Sequence, residues 1–216
     1  MKFDAVLFDC DGVLVDSESI TCGVLRDMLE ELGWTMTLQQ CMDIFVGHMV
    51  TDKRVEIEAH TGQLITQEWM LAFRERRNAA LVADIQAIPN VHAAVNALHL
   101  ATAGRIACAS GADRFKVEMM LTQVGLVEYF NGNIFSGHEM PRSKPHPDVY
   151  LAAAAHLGVN PARCAVVEDT VIGVRAGVSA GATVFGYAPL GDGQALLDAG
   201  ASAVFGDMAE LPEMMR

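Results

Sequence analysis

At 216 residues, 51% of them hydrophobic and with a mean hydropathy of +0.25, the chain is long enough for a sizeable core and too apolar for disorder. Its formal charge of −12, unrelieved by any basic run, argues against nucleic acid or an anionic membrane as partner. No apolar run approaches the ~20 residues of a membrane span.

The five cysteines, Cys10, Cys22, Cys41, Cys108 and Cys164, are odd in number and form no CxxC pair. They read as free thiols in a reducing compartment. The first residues, with Lys2, Asp4 and Asp9, do not read as a signal peptide, so the expectation is a cytoplasmic protein.

In chain order, "FDAVLFD" (3–9) opens as a strand buried on both faces, because its apolar residues are continuous rather than alternating. Between Asp16 and Ala87 only helical patterns follow. Ile20, Val24, Leu25, Met28, Leu29 and Leu32 make one apolar face, and further helices are expected over Leu38–Val46, Val50–His60 and Gln67–Val82. Such an insertion is too large for a connection and predicts a small helical domain. "AIPN" (87–90) returns the chain to the core. Helices are expected over Val91–Ala101, Phe115–Val124 and Val149–Leu157, the last stopped by Gly158. Strands are expected at "RIACAS" (105–110), "CAVVED" (164–169), "ATVFGY" (182–187) and "SAVFGD" (202–207). Strand–helix alternation implies a parallel sheet sandwiched by helices, with ligands at the carboxyl ends of the strands. The glycine ladder Gly173, Gly177 and Gly181 fits no phosphate-loop pattern and reads as a helix lying close on the sheet.

Asp9, Ser110 and the pair Glu168–Asp169 each end a predicted strand, so a parallel sheet brings them to one rim. Lys144 lies in "RSKPHP", a loop stiffened by Pro145 and Pro147. Carboxylates gathered there repel one another without a cation, and a hard cation with oxygen ligands and phosphate is the usual setting of Mg²⁺. The strand period puts Asp9 and Asp11 on one side and Cys10 on the other, where it packs. Gly12 permits a sharp turn. Asp16 reads as a turn or capping residue where the chain leaves for the helical segment.

The segments "DCDGVLVDS", "ASG" (109–111), "KPHPDVY" and "VVEDTVIGVRAG" occur in this order and resemble the haloacid dehalogenase-like hydrolase superfamily. The branch they resemble carries a helical cap after the first motif and holds the β-phosphoglucomutases and sugar-phosphate phosphatases. The resemblance implies an α/β fold with a Rossmann-like parallel sheet core (1–16 and 87–216) and an inserted helical cap (17–86). It also implies that Asp9 is the nucleophile and forms an aspartyl-phosphate, while Asp11 is the general acid and base. Ser110 and Gly111 would hold phosphate oxygens, and Lys144 would add positive charge and orient Asp9. Mg²⁺ would sit on Asp9, Asp169, the backbone carbonyl of Asp11, and Glu168 directly or through water. The superfamily's dehalogenases lack a second acid, so Asp11 argues against dehalogenation. A binding protein that keeps the fold without turnover would have lost the nucleophile or the second acid, and neither is lost here.

Two activities remain open, a phosphatase and a β-phosphoglucomutase-type mutase. The mutases carry an arginine and a serine in a cap loop and a histidine in the first cap helix. Here the loop reads "VGHMVTDKR" and Thr21 stands where that histidine is expected. Arg77 and Asn78 do resemble the cap's other polar contact. These departures favour a phosphatase of a small sugar or sugar-acid phosphate, acting as a monomer on a small phosphorylated metabolite. Gly47, His48, Lys53 and Arg77 are the expected substrate contacts.

Overall fold

A computed structural model describes residues 2–216. Six parallel strands form one sheet in the order β5-β4-β1-β6-β7-β8. They are β1 (Ala5–Phe8), β4 (Ile106–Ser110), β5 (Ile134–Ser136), β6 (Cys164–Glu168), β7 (Thr183–Tyr187) and β8 (Ala203–Phe205). The intervening numbers belong to a two-stranded ribbon of β2 (Val15–Asp16) and β3 (Gln86–Ala87). The central strands β1, β4 and β6 are buried at every position, as their continuous apolar runs require.

The chain divides into two compact units, the chain up to Val15 with Ala87–Arg216, and Asp16–Gln86. The α/β unit holds α5 (Val91–Ala101), α6 (Arg114–Gln123), α7 (Asp148–His156), α8 (Val171–Ser179), α9 (Gln194–Asp198) and α10 (Leu211–Met214). Its core includes Leu7, Ala107, Ala109, Val149, Tyr150, Val166 and Val174. The second unit holds α1 (Glu18–Glu31), α2 (Leu38–Phe45), α3 (Arg54–Thr61) and α4 (Gln67–Asp84) around its own core of Leu25, Leu29, Ile57 and Phe73. A reciprocal capping box between Thr37 and Gln40 starts α2, and the Thr66 hydroxyl caps α4 through the Trp69 N–H.

Several features differ from the sequence reading, among them a 3-10 turn over Val50–Lys53 ahead of α3, where one continuous helix was expected. β5 was not expected, because three residues between Asn133 and Gly137 are too few to show a period. Asp16 lies exposed in β2, and the N-cap of α1 is Ser17. The glycine ladder divides into separate roles. A Cβ at Gly177 would meet Val184 at 2.8 Å and Val166 at 3.1 Å, so this glycine does let α8 lie on the sheet. A Cβ at Gly173 would instead meet the Glu168 carboxylate at 1.8 Å, and Gly181 follows α8 with a φ of +84°. Among the described residues no helix is long and apolar enough to cross a membrane. All five cysteines are free and buried.

Candidate active site

Strand order explains how distant residues meet. β1 lies between β4 and β6, and Phe8 pairs in register with Cys108 and Val167. Asp9, the next residue, therefore comes level with the carboxyl ends of both neighbours, where Ser110 and Glu168 stand. The Asp9 backbone N–H still donates to Val167 O at 3.0 Å, which fixes the residue beside β6.

Lys144 arrives from the loop before α7 and donates to Asp9 Oδ1 and to Glu168 Oε1, both at 2.7 Å. Asp9 is only 8% exposed and Glu168 is fully buried. Burial works against the ammonium charge, yet Asp9 and Glu168 outweigh it and push the Lys144 pKa well above the ordinary lysine value. Burial pushes Asp9 up to about 7; Lys144 opposes that shift, while the charges of Glu168 and Asp11 add to it.

Tyr150, at the start of α7, was not singled out from the sequence. Its hydroxyl donates to Glu168 Oε1 at 2.7 Å, and its ring lies 4.8 Å from the Lys144 ammonium. The other Glu168 oxygen accepts from the Asp169 N–H, the Thr170 N–H and the Thr170 hydroxyl. Five donors thus meet a carboxylate that has roughly four lone-pair sites. Glu168 is a buried anchor that fixes Lys144.

Asp11 has its own cation. Lys116 Nζ, on the first turn of α6, donates to Asp11 Oδ1 at 2.6 Å. Cys10 between the aspartates is fully buried, and its hydrogen bond with Cys108, followed by burial, raises its pKa well above the ordinary thiol value. It is packing, as the strand period predicts. Gly12 answers two demands: its φ is +76°, and a Cβ there would lie 1.9 Å from Asp169 Oδ2. Ser110 is buried, and its hydroxyl accepts from the Ala112 N–H at 3.0 Å, shaping the turn through Gly111 into α6.

Ligand oxygens of Asp9, Glu168 and Asp169 lie within 4.8 Å of one another. The Asp11 carboxylate is not part of that cluster; it is engaged by Lys116. Asp9, Glu168 and Asp169 facing the Lys144 ammonium leave two formal negative charges, the charge one divalent cation balances. All-oxygen donors suit Mg²⁺. Of the three, Glu168 already has both oxygens engaged by protein donors.

Asp9 supplies a pH test. Its folded pKa is raised above the ordinary 3.8, so its contribution to stability is complete below about pH 4 and is lost as pH rises through about 7. Metal-free protein should lose stability over that window relative to Asp9→Asn in urea denaturation. Mg²⁺, which favours the ionised carboxylate, should stabilise the wild type more above about pH 7 than below about pH 5. A stabilisation by Mg²⁺ that ignores pH would count against Asp9 as a ligand.

The four residues expected to contact substrate lie in the helical unit. Gly47, with a φ of +78°, and His48 are exposed in the turn after α2. Lys53 is half-buried and pairs with Glu56 at 3.4 Å. Arg77 is buried at 8% exposure, with its guanidinium on Asn78 Oδ1 through two bonds of 3.0 and 2.8 Å and over the Phe73 ring.

Residues 3–181 match the family model described as haloacid dehalogenase-like hydrolase. The chain is 30% identical over 186 residues to the 6-phosphogluconate phosphatase of Escherichia coli K12, covering 85% of this chain and 82% of that one. It is 30% identical over 209 residues to a phosphorylated carbohydrates phosphatase of Thermotoga maritima, with 93% of both chains covered. A HAD family hydrolase of Deinococcus radiodurans R1, solved with bound phosphate and sodium, superposes with a TM-score of 0.78 at 35% identity, over 97% of this chain and 93% of that one. The chain belongs to the haloacid dehalogenase-like hydrolases and resembles their helical-cap, sugar-phosphate phosphatase branch. Its coarse activity is that of a phosphatase of this family.

Proposed function

We propose that the protein is a Mg²⁺-dependent phosphatase that hydrolyses a small sugar- or sugar-acid-phosphate monoester through an aspartyl-phosphate on Asp9. The observation that carries this reading is the pair of aspartates two residues apart, each held by its own lysine, beside a cluster of acidic oxygens.

Asp9 attacks phosphorus. The bond from phosphorus to the leaving oxygen breaks, and Asp11 gives that oxygen its proton. Asp11 then takes a proton from the water that cleaves the aspartyl-phosphate, so both residues return to their starting states. Ser110 and the Gly111 N–H hold phosphate oxygens, and Lys144 offsets charge on Asp9 and the phosphoryl group. Mg²⁺ would be held by Asp9 and Asp169, with the Asp11 carbonyl and Glu168 in support. When bound, it lessens the repulsion between carboxylate and phosphate.

The names of the two relatives point to phosphorylated sugars and sugar acids as the substrate class. We assign recognition of the leaving group to Gly47, His48, Lys53 and Arg77. The test is phosphate release from a panel of sugar phosphates, sugar-acid phosphates, phosphoglycolate and nucleotides, with Mg²⁺ and with EDTA. Metal-dependent release strongest on a sugar or sugar-acid phosphate is expected. Absence of metal-dependent release from every ester would overturn the reading. Isomerisation of β-glucose 1-phosphate to glucose 6-phosphate with a bisphosphate primer, and little free phosphate, would replace it with a mutase.

A further inference from the structure

Helix α6 reverses the ordinary sorting of its first turn. Phe115 is 66% exposed, while the neighbouring Lys116 is 6% exposed. Lys116 shares the buried side of the helix with Val117, Met120 and Leu121. An ammonium is rarely buried unless it is paired, so the burial of Lys116 beside an exposed Phe115 points to a specific partner. The partner is Asp11 Oδ1, 2.6 Å from Lys116 Nζ. The backbone reinforces the placement. Asp113 caps α6 by accepting from the Lys116 N–H at 2.9 Å. One turn earlier, the Ser110 hydroxyl accepts from the Ala112 N–H, and Ser136 Oγ donates to Ala112 O at 2.6 Å. A single braced segment, residues 110–116, therefore carries both the proposed phosphate contacts and the cation on Asp11.

We propose that Lys116 is a positioning residue that holds the Asp11 carboxyl group where it reaches the leaving-group oxygen of a phosphate bound at Ser110 and Gly111. Lys116 acts through Asp11, not on the substrate. The proposal rests on the phosphatase reading above.

Esters that differ in their need for a proton separate this role from a structural one. An alkyl phosphate leaves as a poor alkoxide and requires Asp11; 4-nitrophenyl phosphate leaves as a stabilised phenolate and does not. The ratio of kcat/KM on the aryl ester to kcat/KM on the best alkyl phosphate of the panel reports the first transfer to Asp9. Both values come from one preparation, so the ratio is independent of the fraction of a variant that folds.

Lys116→Met keeps the length of the stem and removes the charge, and should raise this ratio at least about tenfold over the wild type. Lys116→Arg, which keeps the cation, should return it most of the way. A ratio left at the wild-type value in Lys116→Met, whatever the common loss on both esters, would overturn the positioning role and leave the phosphatase reading standing. A wild type that hydrolyses neither ester with Mg²⁺ would overturn the phosphatase reading itself.

Discussion

Lys144→Met is expected to lose both activity and stability. The ammonium is the shared partner of two buried carboxylates, Asp9 and Glu168, each 2.7 Å away. Removing one member of a buried ionic cluster leaves uncompensated charge and typically costs about 3–5 kcal/mol. Here Asp9 can relieve part of that cost by taking up a proton, because its pKa already lies at about 7 and rises further without Lys144. The destabilisation should therefore be largest above about pH 7 and smaller below it. Phosphate release should fall by at least about 100-fold, because the site loses a cation aimed at the phosphoryl group. Urea denaturation at two pH values, alongside phosphate release, checks both parts. A variant as stable as the wild type at alkaline pH would show that the two contacts are not what holds the site together.

Asp9→Asn is expected to lose activity and gain stability. Without the carboxylate no aspartyl-phosphate forms, and release should drop at least about 10⁴-fold, the scale on which loss of a nucleophile acts. In the metal-free protein, however, the ionised Asp9 is unfavourable. Its raised pKa means that folding works against its charge, so the neutral amide should add on the order of 1–3 kcal/mol of stability above about pH 7. That gain should vanish at acid pH, where Asp9 is already neutral. The opposite stability signs of these two inactive variants distinguish a nucleophile held in an unfavourable environment from the cation that makes the environment tolerable. A destabilised Asp9→Asn protein would contradict the raised pKa.

The sheet was legible because its strands are continuous apolar runs and its site carboxylates stand at their ends. The helical unit was legible for the converse reason, since helical periods run from Ile20 to Val82 without a strand between them. β5 was missed because three residues carry no pattern. Tyr150 lies inside the quoted "KPHPDVY", but an aromatic on a helix is indistinguishable in sequence from ordinary core, and only its hydroxyl on Glu168 separates it. Lys116 was hidden by the residue beside it. Hydrophobicity would bury Phe115, and the fold does the opposite. The one available signal was that Lys116 stands four residues before Met120 and next to Val117, in phase with the apolar side of the helix. Gly173 shows how one residue type conceals several causes. It was read with Gly177 as close packing on the sheet, yet the atoms it makes room for belong to the Glu168 carboxylate.

In the proposed mechanism Asp9 carries the phosphoryl group. Enzyme mixed with excess substrate and Mg²⁺, quenched in acid during turnover and digested with trypsin, should yield a phosphorylated peptide from the stretch between Lys2 and Arg26. Hydroxylamine should remove the group, and fragmentation should place it on Asp9. Steady release of phosphate with that peptide unmodified at every quench time, and continued turnover by Asp9→Asn, would rule out an aspartyl-phosphate on Asp9.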